Sequence, residues 1–283
     1  VRLMRFGAPG AETPAALTED GTVWDLRGLT PDIDGAFLAG GGPDRARAAL
    51  AAGSLPRLET DGLRVAPPVA RPGKVVCVGL NYRDHAAETG AAVPERPVVF
   101  MKDPGTVVGP YDDVLIPRGS VKTDWEVELA VVIGARARYL ETPAEATAVV
   151  AGYAVSHDVS EREFQLELSP QWDLGKSCET FNPLGPQLVT PDEVGDPGAL
   201  GLRLSVNGTE RQHGSTKDMI FDVPYLVRYL SRYMVLEPGD VINTGTPAGV
   251  ALGLPGQPYL RAGDTVELGI DGLGTQRQTF TPA

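Results

Sequence analysis

Residues 123 to 134 read Thr-Asp-Trp-Glu-Val-Glu-Leu-Ala-Val-Val-Ile-Gly, and no other stretch restricts the chain as strongly. The run is apolar, rich in β-branched residues and closed by glycine, which predicts a buried strand. It opens with two acids, Glu126 and Glu128, one residue apart. In a strand such residues point to one face, so both carboxylates aim at one spot. Two unpaired carboxylates there repel, and one has to take up a proton unless a cation joins them. The other reading is a frayed strand start with both acids in water.

The surrounding chain allows a large core. At 283 residues, with 42% apolar and 22% charged residues, it has the composition of a globular protein, as one large domain or a small one plus a larger one. Glycine (34) and proline (25) favour turns and short strands over long helices. No apolar run approaches the roughly 18 residues of a membrane span, and no signal-peptide pattern opens the chain, so a cytoplasmic location is expected. Cys77 and Cys178 have no metal-type spacing and are read as reduced thiols. A net charge of −12 without a basic cluster argues against nucleic acid. It does not forbid an anionic substrate where local cations reverse the field.

Residues 1–70 are expected to form a small N-terminal α/β domain, with a hairpin at Asp20-Gly21 and a helix over Asp44–Ala52. The Gly40-Gly41-Gly42 run lacks the Lys-Ser/Thr of a phosphate loop and reads as a flexible connection. Pro67-Pro68 and Pro72-Gly73 place the boundary to residues 71–283. There, Lys74–Gly79 is a short apolar strand running into a helix that Asn81 can cap and Gly90 can end. On that helix His85 and Glu88 share a face, as a general base and its orienting carboxylate would, or as a surface ion pair would. Val98–Met101 is a strand ending at Lys102. Thr142-Pro143-Ala144-Glu145 predicts a capped helix, and Gly152–His157 a returning strand. Only one of His157 and Asp158 can face the site. Asp158 reads as a functional acid at a strand-to-helix turn, or as a turn acid bonding nearby amides. Ser160-Glu161-Arg162-Glu163 reads as a second capping box opening a helix to about Leu168. Lys176 is a further candidate. Asn207-Gly208 marks a hairpin, and Asp222-Pro224 starts an amphipathic helix with Val223, Leu226, Val227 and Leu230 on one stripe. In Asn243–Val250, glycines, hydroxyls and amides could cradle an oxyanion.

Three carboxylates, with few Cys or His at ligand spacing, favour a hard cation: Mg²⁺ best, with Mn²⁺ or Ca²⁺ open. A 2-oxo acid could fill two open positions through its carboxylate and keto oxygens.

Five segments in this order, 81–88, 124–134, 152–163, Gly175-Lys176-Ser177 and Thr244–Val250, resemble the fumarylacetoacetate hydrolase family from about residue 71 to the end. The resemblance implies an α+β, β-rich fold, a mixed β-sandwich-like roll, commonly homodimeric and carrying Mg²⁺ or Mn²⁺. It places the metal triad on Glu126, Glu128 and Asp158, and the water-activating pair on His85 and Glu88, in a segment that acts as a lid. It places the family's lysine on Lys176, a substrate-carboxylate clamp on Arg162 with Gln165 beside it, and a loop threonine on Thr246. Residues 168–172, Leu-Ser-Pro-Gln-Trp, depart from the Gly-Gly-Gln-Trp expected in relatives and stiffen that loop. The implied reaction is hydrolysis of a C–C bond in a 2,4-dioxo acid to a 2-oxo acid such as pyruvate. Oxaloacetate-type decarboxylation and isomerisation of a hydroxy-diene diacid are the alternatives, and a non-catalytic metal-binding scaffold is the remote one.

Overall fold

A computed structural model describes residues 1–88, 90 and 92–283. Its backbone is a ten-stranded mixed sheet and a five-stranded sheet, with two small two-stranded pairings and short helices. At the centre of the large sheet lies Val127–Ile133, buried along its whole length. It pairs antiparallel with Val150–His157 on one side and Val241–Asn243 on the other. Val75–Gly79 then continues the sheet in parallel, and Val98–Lys102 forms its far edge.

A strand buried on both faces reads as a continuous apolar run, and its two faces serve different cores. Val127, Leu129, Val131 and Ile133 join the core that includes Leu202, Leu204, Leu268 and Ile270 of the five-stranded sheet. Each such side chain contributes roughly 1.5–3 kcal/mol by leaving water. Ala130 and Val132 face a second core with Val75, Cys77 and Phe100. Leu3, Leu26, Ile33 and Phe37 of the first seventy residues belong to that second core. Their strands extend the same sheet, Arg2 pairing with Val189. Gly41, at φ 68°, joins two short helices, Gly35–Ala39 and Gly42–Ala51, where the sequence suggested a flexible connection.

The opening stretch is not one strand. Thr123–Asp124 pairs with Ser160–Glu161, the ladder breaks at Trp125–Glu126, and Val127–Ile133 follows. Trp125 sits at the break, its ring fully buried and its Nε1 donating to the Gly249 carbonyl (3.0 Å). The helix after Asp158 also starts one residue later than the capping box predicts. Glu161 accepts from the Phe164 amide, and the helix runs Arg162–Leu166. Ser160 instead bonds Glu126 (3.2 Å) and the Asp158 carbonyl (3.1 Å).

Other local signals hold. Thr142 and Glu145 form the capping box of helix Pro143–Ala148. The Asn207-Gly208 turn joins Gly201–Val206 to Thr209–Ser215. Asp222 caps Val223–Leu230, which buries Val223, Leu226, Val227 and Leu230. Phe221 stacks on Tyr225 beside it. Both cysteines are free thiols. No helix among the described residues is long and apolar enough to cross a membrane.

Candidate metal centre and active site

Register brings the three acids together. Val127 pairs with His157, so the next residues outward, Glu126 and Asp158, stand opposite each other, the Asp158 amide donating to the Glu126 carbonyl (3.0 Å). Glu128 lies two residues further along. One oxygen from each of Glu126, Glu128 and Asp158 falls within 4.8 Å of the others, all buried. His157 points the other way: its Nδ1 meets Gln278 Oε1 at 2.9 Å, its ring packs edge-on to Phe280, and burial pushes its pKa down to about 4.

Three buried cations brace the acids. Lys176 Nζ lies 3.0 Å from Glu126 and 2.8 Å from Asp158. Lys102 Nζ holds the other Asp158 oxygen at 2.5 Å and the Val159 carbonyl at 2.9 Å. Arg162 reaches Glu126 (2.6 Å), Asp124 (2.8 Å) and the Gln165 side-chain Oε1 (3.0 Å). Burial alone would raise Glu126, but Lys176 and Arg162 overcome it and hold the group well below the usual carboxylate range. Glu128 goes the opposite way. Burial, then Asp158 and Glu126, push it well above that range, and the Gly245 amide (2.8 Å) does not offset them.

That imbalance is the test of a metal. Three converging oxygens, one on a carboxylate that its surroundings leave under-neutralised, fit a hard divalent cation with room for further oxygen ligands.

A cavity of about 150 Å³ opens over Glu126 and Glu128, and His85, Arg162, Gln165, Lys176 and Thr246 also line it. His85 lies on helix Arg83–Glu88, with Nδ1 3.4 Å from Glu88 Oε2. Both Glu88 oxygens accept from the Gly249 amide (2.9 and 3.1 Å). Gly249, at φ 105°, admits no side chain, since a Cβ would stand 1.9 Å from the Arg211 carbonyl. The Asn243–Val250 loop thus does cradle carboxylates, and they are the chain's own, Glu128 at Gly245 and Glu88 at Gly249. Thr246 faces the cavity with its hydroxyl engaged by the Val127 carbonyl and the Gln212 amide (2.8 Å each). Asn81 does not cap its helix. It ties Phe221 and Thr244 together with its side-chain amide, and the first helical bond is Ala86 to Tyr82.

Two participants escape the sequence reading. The sequence marks Lys102 only as a strand end, yet strand alternation from Phe100 puts it on the same buried face, where Lys176 Nζ stacks 4.9 Å from the Phe100 ring centroid. Asp124 accepts from the Ala251 and Leu252 amides (2.7 and 3.0 Å) and so anchors Arg162. No local pattern marks it.

Fold and site together define a strand-rich α+β protein built around a buried carboxylate triad beside a histidine–glutamate pair. The sequence profile of the fumarylacetoacetate hydrolase C-terminal family matches residues 74–281. A chain from Burkholderia multivorans, named provisionally as a hydrolase, is 51% identical over 279 residues, 98% of each chain. The chain therefore belongs to the fumarylacetoacetate hydrolase family. A 2-hydroxyhepta-2,4-diene-1,7-dioate isomerase from Mycobacterium marinum is 32% identical, with TM-score 0.77 over 99% of this chain and 98% of that one. A maleylpyruvate hydrolase from Sphingobium sp. SYK-6, solved with manganese(II) and pyruvate, is 27% identical with TM-score 0.82 over all of both chains.

Proposed function

We propose that this enzyme is a Mg²⁺- or Mn²⁺-dependent hydrolase that cleaves a C–C bond in a 2,4-dioxo acid, releasing a 2-oxo acid such as pyruvate and a carboxylic acid. The observation that carries the reading is that one cavity is lined both by Glu126 and Glu128 of the buried triad and by His85, which Glu88 faces from behind at 3.4 Å. Glu126, Glu128 and Asp158 are the metal ligands. The cation, when bound, supplies Lewis acidity toward the carboxylate and keto oxygens of the substrate.

The chain's own groups do the rest. Arg162 can only donate, so the Gln165 oxygen faces it and the Gln165 NH₂ is the end left to donate to substrate. Arg162 and Gln165 hold the substrate carboxylate. Glu88, fixed by the Gly249 amide, orients His85, which takes a proton from the water that attacks the C4 carbonyl. The C3–C4 bond then breaks with its electron pair left on the 2-oxo acid fragment. Lys176, kept charged by Asp158 and Glu126 against the pull of burial, stabilises that charge until His85 returns the proton.

Hydrolysis is preferred over oxaloacetate-type decarboxylation because decarboxylation gives a water-activating base nothing to do. An isomerase would use the same base to move a proton between carbons, and the Mycobacterium marinum neighbour carries that name. The test is to assay the Mn²⁺-loaded protein for pyruvate release from acylpyruvates and from oxaloacetate, and for the absorbance change of a hydroxy-diene diacid. Acylpyruvate cleavage is the expected outcome; turnover of oxaloacetate or of the diene alone would overturn it.

A further inference from the structure

The cavity has two kinds of lining. The charged part, its floor, is Glu126, Glu128, Arg162 and Lys176, with His85. The apolar part, its wall, is Val78, Leu80, Phe100, Trp172, Leu166 and Leu252, with Phe100 stacked by Lys176 and Leu166 one helical turn from Arg162. Trp172 closes it by packing edge-on to Phe100 (5.5 Å between centroids) and so tightly over Gly79 that a Cβ there would meet its ring at 2.7 Å. Leu80 sits in the left-handed region (φ 55°), a conformation that costs a non-glycine residue stability and persists where the side chain is needed. Among the described residues lining the cavity, Arg162 and Lys176 are the lysine and arginine cations, and the proposed reaction engages Arg162 with the 2-oxo acid carboxylate and Lys176 with the developing charge, so neither is left for a second carboxylate. A carboxylate on the distal end of a substrate would meet hydrocarbon there and lose its hydration without a partner.

We infer that this enzyme takes 2-oxo acids whose distal substituent is uncharged and apolar, and discriminates against those with a second carboxylate at that end. The inference rests on the 2-oxo acid reading above and sets this chain apart from the two neighbours described, whose named substrates are diacids.

The test compares 2-oxohexanoate with 2-oxohexanedioate, which differ only in the terminal carboxylate, by calorimetric titration of the Mn²⁺-loaded protein. The wild type is expected to bind 2-oxohexanoate at least tenfold more tightly. Leu252→Arg and, independently, Leu166→Arg at the half-open rim are expected to narrow that ratio at least fivefold by tightening the diacid. Kinetic preference should follow binding, with kcat/KM for an alkyl 2,4-dioxo acid exceeding that for a matched diacid. Equal or tighter binding of 2-oxohexanedioate by the wild type, with 2-oxohexanoate also bound, would overturn the inference and leave the 2-oxo acid reading standing. Binding of neither would overturn both.

Discussion

On the cavity floor, Glu126 is held at once by Lys176, Arg162 and Ser160, whereas on the wall Trp172 is held by the shape of Phe100 and the bare backbone of Gly79. The floor is a network of buried charges, each stable only because its partners are present. The wall is apolar packing, which tolerates exchange of one hydrocarbon for another of similar volume. One cavity therefore has a part that cannot drift and a part that can. The proposed reaction assigns the chemistry to the first and the choice of substrate tail to the second.

The sharpest way to break this contrast is to strike the floor. Glu126→Ala should abolish metal binding, followed by titration with Mn²⁺, and turnover with it; unchanged metal affinity would refute the triad. His85→Ala should lower kcat by roughly 10²–10⁴-fold while Mn²⁺ affinity stays put, separating the base from the ligands. Lys102→Met leaves one oxygen of buried Asp158 unpaired and should cost about 3–4 kcal/mol in denaturant unfolding of the metal-free protein. A smaller effect comes from His157, buried and neutral just behind Asp158. Its folded pKa of about 4 lies below the value of about 6.5 in the unfolded chain. The unfolded state thus takes up the proton first, and stability falls as pH drops from about 6.5 to about 4, by about 3 kcal/mol from this group. His157→Gln should flatten that part of the stability–pH curve. Least affected should be the wall: Leu80→Gly relieves a left-handed leucine, changes stability by less than about 1 kcal/mol, and weakens 2-oxohexanoate binding several-fold.

What the sequence reveals follows the same division. Glu126 and Glu128 are legible because their i, i+2 spacing is a local signal, and Asp158 because the residues around it mark a strand-to-helix turn. The helix and hairpin signals at Thr142, Asp222 and Asn207 are local for the same reason. Lys102 and Asp124 are not, since a lysine at a strand end and an acid before a tryptophan look solvated until distant chain arrives to bury them. The break falls at Trp125, whose partner is the Gly249 carbonyl, far along the chain. Asn81 has the right identity for a cap, and a tertiary demand from Phe221 and Thr244 overrides it. The wall is least legible: Val78, Leu80, Phe100, Trp172 and Leu252 come from separate segments, and nothing in any one of them distinguishes lining a cavity from filling a core.

Glu88 leaves a trace of a different kind. Its carboxylate occupies the space where a side chain at position 253 would begin, 2.4 Å from a Cβ built there, and it takes its two hydrogen bonds from the amide of Gly249. Gly253 is thus required by the acid packed over it, whereas Gly249 is required by its own backbone and the Arg211 carbonyl. A side chain at 253 would have to displace the Glu88 carboxylate, and with it the group that faces His85.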